Sequence, residues 1–327
     1  MNRLLRGSVL ALLTVVTLWV VASMVWLPNL VVEAADNPVT SDPGDVGLSY
    51  GDVSIPSGDL NLTGWWIPAP EPCAVMLFAH GAGSNRTSWF LPSLKFYKAM
   101  TELGVSVLTL DLRNHGNSPR TDGKLGMGRT EWPDLLAGDA WLDAYGNPAL
   151  PRVAMGLSMG GATAVYAIHQ GLTVDALILM DPLLNTQDAI ARGGWIAYGL
   201  PDWLFRLMAW ATVSLGTLPK GAGDAGALAE RLSVPTLLIQ DATDPITRLP
   251  FAQSLADANP ALTLAIAPTT ASGAGCLANK GRWGTHVAAF KCHPGWTVGE
   301  IERFLSRVLS KRDSSSPKTS TERQNRL

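Results

Sequence analysis

Short apolar runs bounded by turn residues alternate with longer segments of helical period along this chain. Buried strands are expected at Ala74–Ala79, Val105–Leu110, Arg152–Gly156, Ala176–Met180, Pro235–Gln240 and Leu262–Ala267. Helices fit between and after them at Leu94–Leu103, Leu135–Tyr145, Met159–Gln170, Leu249–Ala258 and Thr297–Leu309. Upstream, Leu48 to Pro68 reads as a hairpin with Pro56-Ser57-Gly58-Asp59 at its turn. An opening antiparallel hairpin followed by βαβ units predicts an α/β fold, a mostly parallel sheet flanked by helices on both faces.

Other segments break the alternation. Residues 185–233 carry Trp195, Tyr198, Trp203, Phe205 and Trp210 among Leu, Ala and Gly. About fifty residues between consecutive strands is too long for a plain connection, so a separate helical cap is expected there. Residues 33–47 are rich in Asp, Pro, Gly and Ala and read as a linker, leaving 48–310 as one domain. Residues 311–327 are rich in Ser, Lys, Arg and Thr and read as a disordered tail.

The first 32 residues read as a membrane segment. Gly7 to Leu27 is apolar with only Ser and Thr interruptions, and about 20 such residues match the bilayer core. Arg3 and Arg6 precede it, the next basic residue is Arg86, and only acids lie between, from Glu33 to Glu71. By the positive-inside rule the N-terminus stays in the cytoplasm and the rest lies on the non-cytoplasmic side. The rival is a secreted protein with a signal peptide cleaved after Val32-Glu33-Ala34, but the apolar run exceeds the usual length of such a core.

Composition adds three limits. Of the 327 residues 47% are hydrophobic and 16% charged, enough for a large core. The net charge of −2 gives no electrostatic reason for a nucleic-acid partner. Cys276 and Cys292 flank a glycine-rich loop while Cys73 stands alone, so a Cys276–Cys292 disulfide with Cys73 free is expected outside the cytoplasm. Such a bridge is worth about 3 kcal/mol on the loop-entropy model. A zinc site from Cys276, His286, Cys292 and His293 has no usual ligand spacing, so no metal is expected.

The candidate chemistry centres on Gly156-Leu157-Ser158-Met159-Gly160. An apolar strand runs into this turn and a small-residue helix leaves it, the strand–elbow–helix context that gives G-x-S-x-G its meaning. The turn exposes the Ser158 hydroxyl above the sheet, with the positive end of a helix behind it. A serine hydroxyl needs a base, and the base needs an orienting acid. His286, after the last strand and before the last helix, is the expected base, with His293 as second choice; His169 falls at the far end of the elbow helix. Asp244, after strand Pro235–Gln240, is the expected acid, with Asp181 as the alternative and Asp241 as a turn former. Oxyanion donors are expected at the backbone N–H groups of Met159 and Ala82, the latter in the loop His80-Gly81-Ala82-Gly83, which His80 braces.

Those residues, with the run Asp111-Leu112-Arg113-Asn114-His115-Gly116-Asn117-Ser118, resemble the α/β-hydrolases over roughly residues 60–310. The nearest group is that of monoacylglycerol lipases, lysophospholipases and related esterases. Asn114 stands where that family usually has Gly, Asp241 stands where Gly is common, and an unusual insert carrying Cys276 separates Asp244 from His286, with Cys292 just beyond the histidine.

The expectation is therefore an α/β-hydrolase fold with a helical cap, preceded by one transmembrane helix. Its activity would be cofactor-free cleavage of carboxylic esters, lipid-like or of short-to-medium acyl chain, through Ser158, His286 and Asp244. The same three groups also serve peptidases, amidases and thioesterases. The reading from another class is a catalytically silent binding module held at the membrane.

Overall fold

The alternation of strand and helix resolves into one sheet in a computed structural model describing residues 3–88, 90–221 and 223–315. Strands β1 (Gly51–Ser57) and β2 (Leu60–Ile67) make the opening hairpin. They are followed by β3 (Ala74–Ala79), β4 (Val105–Leu110), β5 (Arg152–Leu157), β6 (Ala176–Met180), β7 (Thr236–Gln240) and β8 (Leu262–Ile266). The eight strands stand in the order β1-β2-β4-β3-β5-β6-β7-β8. β2 pairs antiparallel with β1 and β4, and every pairing from β4 onward is parallel.

Side chains alternate across the sheet and so build two cores. On β3, Val75, Leu77 and Ala79 face one core while Ala74, Met76 and Phe78 face the other. The first is covered by α4 (Trp132–Tyr145), α5 (Met159–His169) and α9 (Leu249–Ala258), through Leu135, Val165 and Leu255 among others. The second is covered by α3 (Ser93–Glu102) and α11 (Pro294–Ser315), through Phe96, Tyr97, Ile301 and Phe304.

Several boundaries move for identifiable reasons. The hairpin turn is only Gly58–Asp59, because β1 continues through Pro56 and Ser57, paired with Asn61 and Leu60. Pro56 is tolerated there because β1 is an edge strand. α4 and α11 begin three residues earlier than expected, at Trp132-Pro133 and at Pro294. Proline suits a first helical turn, where its missing N–H would have no partner. α11 also continues to Ser315, into the stretch 311–327 read as a disordered tail; residues 316–327 lie outside the described residues.

Between β6 and β7 the chain is helical, as α6 (Thr186–Tyr198), a 3-10 turn at Asp202–Phe205, α7 (Arg206–Ser214) and α8 (Ala225–Ala229). At the N-terminus, α1 (Arg3–Val21), a π-helical turn (Ala22–Trp26) and α2 (Leu27–Val31) follow without a break. Pro28 lacks the N–H that an α-helical bond would need, which accounts for the local widening. Leu5–Val31 is long and apolar enough to cross a membrane.

Residues 33–47, read from composition as a linker, meet the body of the protein at several points. Glu33 forms an antiparallel bridge with Lys124, and Leu125 N donates to Val32 O at 2.7 Å. Asn85 Nδ2 donates to the carbonyls of Asn37 and Pro38, and Asp42 caps a 3-10 turn at Pro43–Val46. Composition reports solubility of a segment, not whether its backbone finds a partner.

Candidate active site

Ser158 sits where β5 turns into α5, with a backbone φ of 50° that non-glycine residues rarely adopt. The neighbouring glycines make the turn sterically feasible. A Cβ on Gly156 would lie 2.3 Å from Gly160 O, and one on Gly160 would lie 2.2 Å from Ala79 O. Backbone bonds hold the elbow from both sides: Ser158 N donates to Met180 O at 3.1 Å, and Leu183 N donates to Ser158 O at 2.9 Å.

The structure brings His286 and Asp244 to this serine. His286 Nε2 lies 3.0 Å from Ser158 Oγ, and His286 Nδ1 lies 2.7 Å from Asp244 Oδ2. Asp244 also accepts from the backbone N–H groups of Ile246 (2.6 Å) and Thr247 (2.9 Å), and from the Thr247 hydroxyl (2.8 Å). A carboxylate so engaged is an acceptor, so Nδ1 carries the imidazole proton and Nε2 faces the serine hydroxyl as an acceptor. Ser158 directly follows β5, Asp244 comes shortly after β7, and His286 lies in the long loop after β8, all at the edge where open parallel sheets gather chemistry.

Asp181, the alternative acid, meets two backbone N–H groups. Its Oδ1 accepts from Asp241 N and its Oδ2 from Val287 N, both at 2.8 Å. One carboxylate thus ties the loop bearing Asp244 to the loop bearing His286. Burial, then the nearby Asp244 carboxylate, raise its pKa well above the usual carboxylate range. Asp181, Asp244 and His286 offer ligand atoms within 4.8 Å of one another, but each carboxylate oxygen already accepts a hydrogen bond. Asp241, which stands where a glycine was expected, holds its turn by accepting from Thr243 N at 2.8 Å.

The loop after β3 lies against the serine, with Gly81 so close that a Cβ there would be 3.3 Å from Ser158 Cβ. Ala82 N–H has no acceptor among the described residues, and Met159 is the first residue of α5, where N–H groups lack helical partners. Two histidines brace this loop. His80 Nε2 accepts from Leu112 N at 3.1 Å while Nδ1 meets Gly81 O at 2.8 Å, and His115 Nε2 accepts from Gly83 N at 3.2 Å.

Burial, then the His115 ring, push the His80 pKa down from 6.5 to about 3. Between those values the unfolded chain binds a proton that the folded protein refuses. The stabilisation from neutral His80 is therefore complete above pH 6.5 and fades as pH falls toward 3. Urea unfolding should show the advantage of wild type over His80→Asn shrinking from pH 7 to 4. A difference that stays constant over this range would contradict a neutral, bracing His80.

Ser158 and His286 open into a cavity of about 490 Å³, apolar on most sides, with Leu125, Met127, Leu183, Ile190 and Ile246 in its walls. The insert between Asp244 and His286 supplies another wall. Trp283 stacks on His286 with ring centres 5.8 Å apart, and Phe90 meets Trp283 edge-on at 5.4 Å. Lys280, buried behind them, donates to His286 O and lies 4.7 Å from the centre of the Phe90 ring. Burial pulls its pKa down to about 8. A Cys276–Cys292 disulfide joins this insert to the segment after His286, so the loop it closes contains His286, and Cys73 is exposed and outside any disulfide.

The remaining candidates lie elsewhere. His293, the second choice of base, meets Thr270 Oγ1 at 2.8 Å, and His169 is exposed at the end of α5. Sequence reasoning missed Phe90, Lys280 and Trp283, which no periodicity or motif distinguishes. It also missed Val31, Glu33 and Ala35, which line the cavity. For these the sequence Val31-Val32-Glu33-Ala34-Ala35 has no alternation of apolar and polar residues that could have pointed to a cavity wall.

A monoacylglycerol lipase from Mycolicibacterium smegmatis is 29% identical over 129 residues, 38% of this chain and 44% of the relative. The phospholipase YtpA from Bacillus subtilis is 29% identical over 127 residues, 38% of this chain and 46% of the relative. The matched part thus spans less than half the length of these curated relatives. Among solved structures, the Pyrococcus furiosus esterase Pf2001 superposes with a TM-score of 0.66 at 23% identity, covering 84% of this chain and 98% of its own. Est1E from Butyrivibrio proteoclasticus, with ferulic acid bound, reaches 0.56 at 14% identity, covering 79% and 99%. These likenesses establish the shared fold. A model of the alpha/beta hydrolase family matches residues 76–322, from within β3 past Ser315, and the chain belongs to that family.

Proposed function

We propose that this chain is a serine hydrolase that cleaves carboxylic esters of lipid-like or short-to-medium acyl chain. The observation that carries the reading is the continuous hydrogen-bonded series from Ser158 Oγ through His286 to Asp244, opening on an apolar cavity. Neutral His286 takes the Ser158 proton at Nε2 as Oγ attacks the ester carbonyl. Asp244 holds the Nδ1 proton and stabilises the imidazolium. The N–H groups of Ala82 and Met159 receive the negative charge of the tetrahedral intermediate. His286 then protonates the departing alcohol, leaving an acyl-serine that water cleaves by the same steps.

The lipase and phospholipase relatives support an ester substrate, and the apolar cavity walls favour an acyl chain over a peptide. The apolar helix Leu5–Val31 supports a membrane anchor, with Arg3 and Arg6 on the cytoplasmic side and the hydrolase domain opposite.

A fluorophosphonate probe tests chemistry and side together. It should label Ser158 in the purified protein, and a membrane-impermeant form should label it in right-side-out vesicles. Esters from acetyl to lauroyl should turn over faster than a matched amide or thioester. Absence of both labelling and ester turnover would leave a silent binding module; labelling only in inside-out vesicles would reverse the topology.

A further inference from the structure

The membrane end of the apolar helix is built into the cavity that holds Ser158. Val32 and Ala34 are buried in the sheet-side core, and the residues between and beside them, Val31, Glu33 and Ala35, line the cavity. Val31 ends α2 and Val32 turns the chain; from Glu33, which bridges to Lys124, neighbouring residues face opposite sides, one to the core and the other to the pocket. Glu33 is exposed, which keeps its carboxylate in water at the rim.

Both flanks of this segment are fixed. On one, Leu125 N donates to Val32 O at 2.7 Å and Ala34 N donates to Gly123 O at 2.8 Å. Asn114 holds that turn: its Oδ1 accepts from Thr121 N at 2.8 Å and Gly123 N at 3.2 Å, and its Nδ2 donates to Lys124 O at 2.7 Å. Asn114 itself has φ 66°, a left-handed backbone that asparagine tolerates, which is how it occupies a position where glycine was expected. On the other flank, Asn37 Nδ2 donates to Gly83 O at 3.2 Å, so the same segment reaches the loop that carries Ala82.

Upstream, the helix stays against the cap. Trp19 meets Phe205 edge-on at 6.1 Å, and Tyr198, stacked on the same Phe205, remains 66% exposed.

We propose that Val31–Ala35 is a wall of the acyl-chain pocket, so that the membrane end of the anchor sets chain-length selectivity. The proposal rests on the serine-hydrolase reading above. The substrate class is an acyl ester dissolved in the leaflet at that end of the helix. Its chain passes from lipid to pocket along the segment, without being drawn through water.

An alkyl fluorophosphonate bearing a diazirine at its chain end, added to the full-length protein in phosphatidylcholine vesicles, tests this directly. Ser158 Oγ bonds to phosphorus, fluoride leaves and His286 takes the hydroxyl proton, which fixes the head of the probe. Illumination should then cross-link the tail to Val31, Glu33 or Ala35. Cross-links confined to Ile246, Trp283 or Val287 would overturn the proposal while leaving the hydrolase reading intact. Absence of labelling at Ser158 would fail the hydrolase reading, and the proposal with it.

Two kinetic measurements complete the test. Val31→Trp, which narrows the pocket, should lower the ratio of lauroyl to butyryl ester turnover at least tenfold; an unchanged ratio in a folded variant counts against the wall. With wild type, the rate on a long-chain ester should follow its mole fraction in the bilayer. A rate set by bulk concentration instead would overturn the leaflet route.

Discussion

Replacing Ser158 by alanine should reduce ester hydrolysis to background while leaving the fold and its melting temperature nearly unchanged. The elbow does not depend on the hydroxyl. Its backbone is imposed by close packing at Gly156 and Gly160 and by bonds from Ser158 N to Met180 O and from Leu183 N to Ser158 O. The hydroxyl contacts His286 Nε2, and its removal deletes the attacking atom without opening a buried void. Loss of a serine nucleophile costs about a millionfold in turnover in a well-studied protease. Residual stabilisation by oxyanion donors survives such a change, so the background will exceed the uncatalysed rate. Initial rates on an aryl ester, beside a thermal melt followed by circular dichroism, check both halves. Near-wild-type turnover would remove Ser158 from the mechanism.

The Asp244→Asn variant should lose about ten-thousandfold in turnover, the scale known for the same change in a serine protease. Asparagine at this position can present its NH2 to the imidazole, which forces the proton onto Nε2 and removes the acceptor that Ser158 needs. Asp181→Asn should behave differently. Both its oxygens accept backbone N–H groups, from Asp241 and Val287, so an amide nitrogen would face a donor and loosen the two loops. The expected result is a lowered melting temperature with a smaller loss of activity. Measuring rate and melting temperature for both variants separates the two roles. A silent Asp244→Asn beside an inactive, fully stable Asp181→Asn would exchange them.

Much of the architecture was legible because it rests on short-range patterns. Buried strands such as Ala74–Ala79 and Val105–Leu110 appear at their expected limits, since a run of apolar residues between turn formers leaves little choice of register. The elbow was legible for the same reason, as strand, glycine, serine and helix are contiguous in the chain. Helix starts were read less well, because the apolar period ignores a proline in the first turn, as at Pro133 and Pro294.

Other features depended on residues far apart in the chain. Asp181 and Asp244 each follow a parallel strand, and nothing local distinguishes an acid that meets His286 from one that ties two loops together. That assignment arises only when β6, β7 and β8 stand side by side and their exits converge. The linker showed the same limit more sharply. Composition gives residues 33–47 only as a linker; that the turn at 121–124 offers a backbone edge to Val32–Ala34, and that Asn85 and Gly83 bind Asn37, depends on partners far along the chain. Local sequence thus determined the strands, the elbow and the apolar helix, because hydrophobic period and backbone sterics act over a few residues. Tertiary structure decided which acid meets the histidine and what walls the cavity, because unpaired backbone groups and buried carboxylates take whichever partners the packed sheet brings within reach.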